Sequence, residues 1–463
     1  MTNPEAHEAS YRDPDGFIFQ KNGQILRQIN PSYAEDYEHL MESGLYEALI
    51  DRGLLIPHQE SPPALQATPS AYKVIAPEQV TFISYAYEWS FSQLQAAAAT
   101  SLEIMETALA HGMMLKDCNS YNMQFHRGRP ILIDTLSFMR YEEGMLWPGY
   151  RQFCQHFLMP LALMSYCDPR LSALLVRFED GIPLDLGCGL LPLKARLSAG
   201  LLMHLFLHAS VDRRARTAPR EIGQVQPTRT SLVPLVDNLR RTVERIKPPR
   251  YQTDWEGYED ICLYSEADRL KKKRFAEACL EAVRPATVWD LGANIGTYSW
   301  LAANRGASVV AFDSDHASMD KLSREVAAKE EPNILPLVID MLNPSPPIGW
   351  ENAERSALLE RGPADLIFAL ALLHHIVIGA NVPMQKVARL LARLGTHVVT
   401  EFVPKSDPQV ELMLKNRKDI FPDYHQQGFE AAFGAYFRIV GTEALEDSPR
   451  ILYHMERIPA GRS

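Results

Sequence analysis

The sequence predicts an α/β protein. Its C-terminal half, residues 251–463, should form a doubly wound, mostly parallel, seven-stranded Rossmann-like sheet, preceded by an α+β domain over residues 1–210. Three observations predict this. Apolar runs alternate with helical stretches, which implies a parallel sheet with helices on both faces. Three of those runs end in an acid, at Asp290, Asp313 and Asp340. The first acid is followed at once by a Gly-x-Asn-x-Gly turn.

Val288-Trp289-Asp290 ends the first strand, and Gly292-Ala293-Asn294-Ile295-Gly296 turns the chain into a helix over Tyr298–Asn304. Gly292 and Gly296 permit positive φ and let a ligand approach the main chain. Asn294 replaces a more usual glycine because Asn best tolerates a left-handed conformation. The unpaired N–H groups where that helix opens attract polar or anionic ligand groups. Ala307–Asp313 is the second strand, and its acid lies 23 positions after Asp290. A ribose-binding acid stands at about that distance in nucleoside-binding sheets. Ile334–Asp340, Asp365–His375 and Gly395–Glu401 supply three more apolar runs, with helices Met319–Lys329 and Val382–Leu394 between them. Ala435–Val440 and Arg450–Met455 close the sheet as a pair.

On these residues, the stretch from Tyr251 to Arg457 resembles the class I S-adenosylmethionine-dependent methyltransferases. Asp290-x-Gly292-x-Asn294-x-Gly296 matches their first motif in its Asn-containing variant. The resemblance implies that S-adenosyl-L-methionine is the cofactor. It implies that Asp313 binds the ribose hydroxyls, that Asp340 with Met341 contacts the adenine, and that the run from Asp365 to His375 faces the methyl group. A nicotinamide-cofactor reading would need Gly-x-x-Gly spacing after the first Gly-x, which is absent. The alternative is a doubly wound domain that binds nothing.

Composition agrees with an enzyme of this size. With 463 residues and 46% apolar content, the chain can bury a sizeable core. A net charge of −10 argues against a general nucleic-acid binder. Six cysteines, at 118, 154, 167, 188, 262 and 279, form no C-x-x-C pair and read as thiols in a reducing compartment. The polar, acidic N-terminus predicts no signal peptide, and no run predicts a membrane span. The expectation is a cytoplasmic protein. Leu184-Asp-Leu-Gly-Cys-Gly189 imitates the first motif, but Pro192 follows and no second strand with an acid does. It is read as a loop with the last helix of the N-terminal domain.

In the N-terminal half, Gly16–Ile29 reads as a hairpin turning at Asn22-Gly23. Tyr37–Arg52 and Gln93–His111 have helical spacing, and Val80–Tyr87 reads as a strand. Asp117 and Asn122 lie five apart, with Asp134 twelve later at a strand end. Residues 15 to 210 thereby resemble protein-kinase-like and aminoglycoside-phosphotransferase-like folds, in which such an Asp orients the hydroxyl while the Asn and second Asp hold magnesium. That implies convergence of the three side chains. There is no Gly-rich phosphate loop, no V-A-I-K lysine, and Lys116 stands where Arg is usual. The expectation is a kinase-like scaffold without phosphoryl transfer; the alternative is an unrelated α+β domain in which Asp117 and Asn122 fix a turn. Residues 211–250 read as a linker with an exposed helix.

The two halves together resemble a bacterial family of class I methyltransferases, the nodulation-protein NoeA type. The stretches that carry this are Lys116-Asp-Cys-Asn-Ser-Tyr-Asn-Met-Gln-Phe125, Ile133-Asp-Thr-Leu-Ser-Phe138, Gly149-Tyr-Arg-Gln-Phe153 and Gly428-Phe-Glu-Ala-Ala-Phe433. The resemblance implies a methyltransferase with a poorly defined acceptor and a link to glycolipid signal modification.

Methyl transfer is an in-line displacement, so the protein must position an acceptor and, for a hydroxyl, remove a proton. His374 and His375 follow the fourth strand and are the candidate bases; packing of the strand end is the alternative. Glu401, at the fifth strand end, is a candidate for acceptor contact. Trp255, Tyr258 and Tyr264 could cover a sulfonium with aromatic faces, or pack a domain seam. No N-P-P-[YF] follows Asp365, which disfavours amino-group methylation of nucleic acid, and the predicted site calls for no metal. Three functions fit: methyl transfer to a small molecule or sugar-containing lipid, methyl transfer to RNA or protein, and a kinase-like phosphotransferase or binding module. Acceptor and oligomeric state stay open.

Overall fold

The computed structural model describes residues 6–210, 228–250, 264–415 and 417–459. The chain is a mixed α/β protein that divides into two compact units. One is Met1–Arg250 with Pro347–Arg355; the other is Tyr251–Pro346 with Ser356–Ser463. The segment Pro347–Arg355 therefore leaves the second unit between two of its strands and belongs to the first.

In the first unit, strands β1 (Gly16–Lys21), β2 (Gln24–Ile29), β3 (His58–Glu60) and β4 (Lys73–Pro77) form an antiparallel sheet in the order β1-β2-β4-β3. Asn22 (φ 54°) and Gly23 (φ 78°) make the tight turn between β1 and β2. The periodic stretch 37–52 is two helices, Ala34–Glu42 and Leu45–Asp51, broken at Gly44 with φ 76°. Val80–Tyr87 is not a strand. Its backbone is held by one side chain: Gln124 Oε1 accepts from Ser84 N–H and Gln124 Nε2 donates to Ser84 O, both at 2.9 Å. The sheet strand lies earlier, at β4.

Two small ribbons follow the helix Phe91–Ala110: β5 (Met113–Leu115) pairs with β8 (Phe138–Arg140), and β6 (Met123–His126) with β7 (Arg129–Leu132). Ser90 and Gln93 cap the helix reciprocally. Against it packs the helix Arg229–Arg245, burying Leu232, Val236, Leu239 and Val243 at three- and four-residue spacing. Each such side chain contributes roughly 1.5–3 kcal/mol of transfer free energy. Gln95 Nε2 then donates to Val243 O and Ile246 O, satisfying carbonyls at that helix end. The exposed helix expected within 211–250 is thus a core helix of the first unit, because its apolar stripe faces Phe91–Ala110. The imitation motif is the helix Leu184–Leu190, where a Cβ on Gly187 would stand 2.2 Å from Met159 Sδ. Its glycine serves close packing.

The second unit holds a seven-stranded mixed sheet in the order β11-β10-β9-β12-β13-β15-β14. Its strands are β9 (Thr287–Leu291), β10 (Ser308–Asp313), β11 (Ile334–Val338), β12 (Ala364–Ala369), β13 (Gly395–Phe402), β14 (Phe437–Ala444) and β15 (Ile451–Arg457). The first five are parallel, and β15 runs antiparallel to both β13 and β14. Helices Glu266–Val283, Thr297–Ala303 and His316–Ala328 join Val288, Val309, Ala311, Leu366 and Phe368 in one apolar core. Helices Met384–Leu394 and Gln426–Gly434 pack on each other and on β12 to β14 outside that cluster. Strand order reverses between β9 and β12, and the loops after those strands meet at the sheet's carboxyl edge. Open α/β sheets bind ligands in the crevice at such a place.

Among the described residues no helix is long and apolar enough to cross a membrane. The cysteines among them, Cys118, Cys154, Cys167, Cys188 and Cys279, are not in disulfide bonds.

Candidate functional site

The turn after β9 carries three left-handed residues at alternate positions: Gly292 (φ 73°), Asn294 (φ 49°) and Gly296 (φ 84°). This folds the loop back so that Gly292 N–H and Ala293 N–H both donate to Phe312 O, at 2.8 and 3.0 Å. Asn294 N–H donates to Asp313 Oδ2 at 2.9 Å, and Asp315 N–H to Asp313 Oδ1 at 2.9 Å. Each carboxylate oxygen therefore keeps lone-pair capacity for a further donor. Burial raises the Asp313 carboxyl above its usual range, against those backbone donors.

Beside this turn lies a cavity of about 200 Å³. Gly292, Asn294, Asp313, Asp340, Met341 and His375 all line it, so six predicted residues meet at one cavity. Asp340 Oδ1 accepts from Leu342 N–H at 2.8 Å, which fixes the loop after β11. Phe312, Ile339, Leu370, Ala371, Leu372 and Ile376 supply an apolar remainder. Leu370, Ala371 and Leu372 belong to the run expected to face the methyl group, whereas nothing in the sequence marked Phe312, Ile339 and Ile376 for this role. A Cβ on Gly292 would stand 3.3 Å from Leu372 Cδ1, so a larger residue there narrows the cavity.

Three predicted residues lie off the cavity. Asp290 is buried and accepts from Ser299 Oγ at 2.7 Å, tying β9 to the helix that follows. Burial pushes its carboxyl up to about 7. Gly296 packs against Leu322, where a Cβ would stand 2.7 Å from Cδ1; it serves the helix start. His374 is fully buried, and burial drives its pKa well below the usual imidazole value. Its ring stacks obliquely on His375 at 4.1 Å between centroids. His375 reaches the cavity; burial, then Arg450, lower its pKa, so it is neutral at neutral pH.

Glu401 does not face an acceptor either. It is fully buried, accepting from Tyr264 Oη at 2.8 Å, Lys272 Nζ at 2.9 Å and Ala371 N–H at 3.0 Å. Arg450 donates to Tyr264 Oη and pairs with Asp407 at 2.6 Å. Lys272 and Arg450 lie 4.0 and 4.4 Å from the centroid of the Tyr264 ring. Tyr264 is thus the hub of an ionic cluster and no lid; Trp255 and Tyr258 lie outside the described residues. Sequence reasoning missed this cluster because its members are scattered over nearly two hundred positions. Asp365 lies at the opposite end of β12, accepting from Ala286 and Thr287 N–H at 2.9 Å.

In the first unit, Asn122 Nδ2 donates to Asp117 Oδ2 at 3.0 Å and Asn119 Nδ2 to Oδ1 at 2.7 Å. Burial first, then the Asp134 charge, raises the Asp117 carboxyl. Asp134 itself pairs with Arg27 Nη1 at 2.9 Å, while Arg27 Nη2 reaches Asp13 at 3.2 Å and Lys116 pairs with Asp15. A guanidinium therefore sits against the carboxylate expected to hold magnesium. Among the described residues no group of three or more His, Cys, Asp or Glu is arranged to hold a metal ion.

No protein-family model matches the chain. Among solved structures it is similar to the bifunctional kinase-methyltransferase WbdD, with 21% identity and a TM-score of 0.30, over 42% of this chain and 40% of that one. It is also similar to the N-methyltransferase NodS from Bradyrhizobium japonicum WM9, with 10% identity and a TM-score of 0.32, over 42% of this chain and 98% of that one. The magnesium protoporphyrin IX methyltransferase from Synechocystis PCC 6803, a structure with bound SAH, gives 14% identity and a TM-score of 0.32, over 44% and 94% of the two chains. Nodulation protein NoeA of Rhizobium meliloti (strain 1021) is 33% identical over 465 aligned positions, spanning 97% of this chain and 95% of that protein. With that identity sustained from end to end, the chain belongs to the NoeA family of nodulation proteins.

Proposed function

We propose that the protein is an S-adenosylmethionine-dependent methyltransferase whose second unit, a Rossmann-like domain, binds the cofactor. The observation that carries this is the meeting of Gly292, Asn294, Asp313, Asp340 and Met341 on one cavity at the sheet's switch point. The residues fit the group: Asp313 has free acceptor capacity for ribose hydroxyls, Asp340 stands at the next strand end for a purine amine, and apolar side chains flank them. When bound, the cofactor supplies an electrophilic methyl group on a sulfonium.

The chain's own residues orient, exclude water and move a proton. Glu401 fixes the Ala371 wall, Asp313 and Gly292 fix the nucleoside side, and neutral His375 accepts the proton of an acceptor hydroxyl at a ring nitrogen. The first unit, a kinase-like scaffold without phosphoryl transfer, holds the acceptor. Its relative's name, a nodulation protein, supports a small molecule or glycolipid-type signal as acceptor, modified in the cytoplasm. Calorimetric titration of S-adenosylmethionine tests the cofactor assignment: micromolar binding is expected, and its absence overturns the proposal. Labelled methyl transfer into a cell-extract pool then identifies the acceptor.

A further inference from the structure

The first unit exposes an apolar surface that nothing in the proposed chemistry uses. Leu193 and Leu197 are 77% and 88% exposed, and Leu190, Leu202, Met203 and Leu207 are exposed beside them. The elements that bear them are neighbours: Leu184–Leu190 and Leu193–Leu197 both pack on Leu202–Leu207, so the exposed side chains gather in one region of the unit's surface. Single exposed leucines need no explanation, whereas a contiguous cluster marks an interaction site.

Charge is placed within it. Lys194 and Arg196 alternate with the two most exposed leucines in Leu193-Lys-Ala-Arg-Leu197, and both are exposed. Arg196 lies 5.0 Å from the Phe206 ring centroid and Lys194 lies 5.8 Å from that of Tyr166, so both cations are held at the patch. Asp185 is the sole acid between residues 184 and 207. Lys194 and Arg196 against Asp185 leave this stretch with one net positive charge on a chain of net charge −10.

We infer that this patch seats the protein on an anionic lipid surface, with Leu193 and Leu197 entering the acyl boundary and Lys194 and Arg196 meeting the headgroups. Interfacial segments combine these two features, and long cationic side chains keep their heads in the headgroup layer while their stems lie along apolar surface. A second copy of the chain fits less well. A two-fold interface brings a patch against itself, so Lys194 and Arg196 would face their own counterparts. Leucines that stand almost free also need no complementary pocket in a fluid phase.

The test is co-sedimentation of the full-length protein with phosphatidylcholine vesicles, with and without phosphatidylglycerol. Binding is expected to the phosphatidylglycerol-containing vesicles and to weaken with salt. The variant L193S/L197S should bind them about tenfold or more weakly, because two inserted side chains are lost. K194A/R196A should lose the preference for the anionic lipid. All four positions are exposed, so thermal melting should be unchanged and cofactor binding retained, which keeps this test separate from the methyltransferase assignment. No vesicle binding by the wild type, equal binding to both vesicles, or unchanged binding in L193S/L197S overturns the inference. A concentration-dependent dimer that L193S/L197S abolishes overturns it in favour of a second copy.

Discussion

The backbone N–H of Ala371 donates to Glu401 Oε2 at 3.0 Å, and Ala371 sits at φ 52° on the cavity wall. A residue with a Cβ pays about 1–2 kcal/mol to be left-handed, so something must hold it there. Glu401 does so, itself locked by Lys272 and Tyr264. Glu401→Gln keeps the shape but strips the charge from a buried pair, and stability in denaturant should fall by about 3–5 kcal/mol. Ala371→Gly keeps the N–H and relieves the strain, so stability should hold or rise by about 1 kcal/mol with cofactor affinity retained. Loss of cofactor binding in Ala371→Gly would show that the Cβ, not the backbone, shapes the wall.

Asp313 gives the sharpest test of the cofactor site. The hydrogen bonds proposed between its carboxylate and the ribose would be worth roughly 1.5–3 kcal/mol, so Asp313→Ala should bind S-adenosylmethionine about one to two orders of magnitude more weakly. Gly292→Val should do worse, because side-chain atoms would crowd Leu372 and fill the cavity. Unchanged calorimetric affinity in a folded Asp313→Ala protein contradicts the assignment.

The turn after β9 was legible because its chemistry is local: Gly292, Asn294 and Gly296 are the residue types a left-handed backbone demands. The strand-end acids were legible from hydrophobic periodicity. What each acid does was not. Asp290 precedes the turn yet points into the core, since successive strand side chains alternate faces and its partner Ser299 is chosen by the helix's packing. His374 and His375 are neighbours in sequence, and which of them reaches the cavity depends on how the chain turns after β12. Glu354 lay beyond reach altogether. It is buried in the first unit with Arg12 Nη2 at 2.7 Å and with Tyr11, more than three hundred positions away. Burial would raise that carboxyl, but Arg12, Glu179, Tyr11 and the Trp350 N–H hold it at about 2.

Asp290 should leave a signature in the pH dependence of stability. Burial lifts its folded-state pKa to about 7 from an ordinary value of 3.8. Between those values the folded form binds a proton that the unfolded chain has lost. Its contribution to stability therefore falls as pH rises through that window, by at most about 1.4 kcal/mol per pH unit, and is level above it. Asp290→Asn retains an acceptor for Ser299 and should flatten the denaturation midpoint between pH 5 and 7. An unaltered pH slope would place the titrating group elsewhere.

His375 should divide from His374 in kinetics. The proposed role of proton acceptor requires it to be neutral, and burial, then Arg450, lower its pKa in that direction. Methyl transfer to a hydroxyl should fall off only below the ordinary imidazole pKa of about 6.5. His375→Asn should reduce kcat by roughly 10²–10⁴-fold while cofactor affinity changes little. His374→Asn should lower the melting temperature and leave the pH profile of the remaining activity in place. Equal kinetic loss in both variants would make the pair structural.

Asp134 tests the reading of the first unit. Its pairing with Arg27 places a fixed cation where a magnesium-holding carboxylate would need an open face, and both side chains are largely buried. With Arg27 seated on it, the Asp134 carboxylate is not open to a metal–nucleotide complex, and phosphoryl transfer depends on such positioning. Asp134→Ala should therefore cost about 2–4 kcal/mol of stability, because Arg27 keeps only Asp13 as a partner. Calorimetry with ATP and magnesium should show no binding to wild type or variant, and Asp117→Asn should leave methylation intact unless that loop holds the acceptor. Magnesium-dependent ATP binding by the wild type that disappears in Asp134→Ala would mean that Arg27 yields the carboxylate to a metal, and the first unit would then be a working nucleotide site.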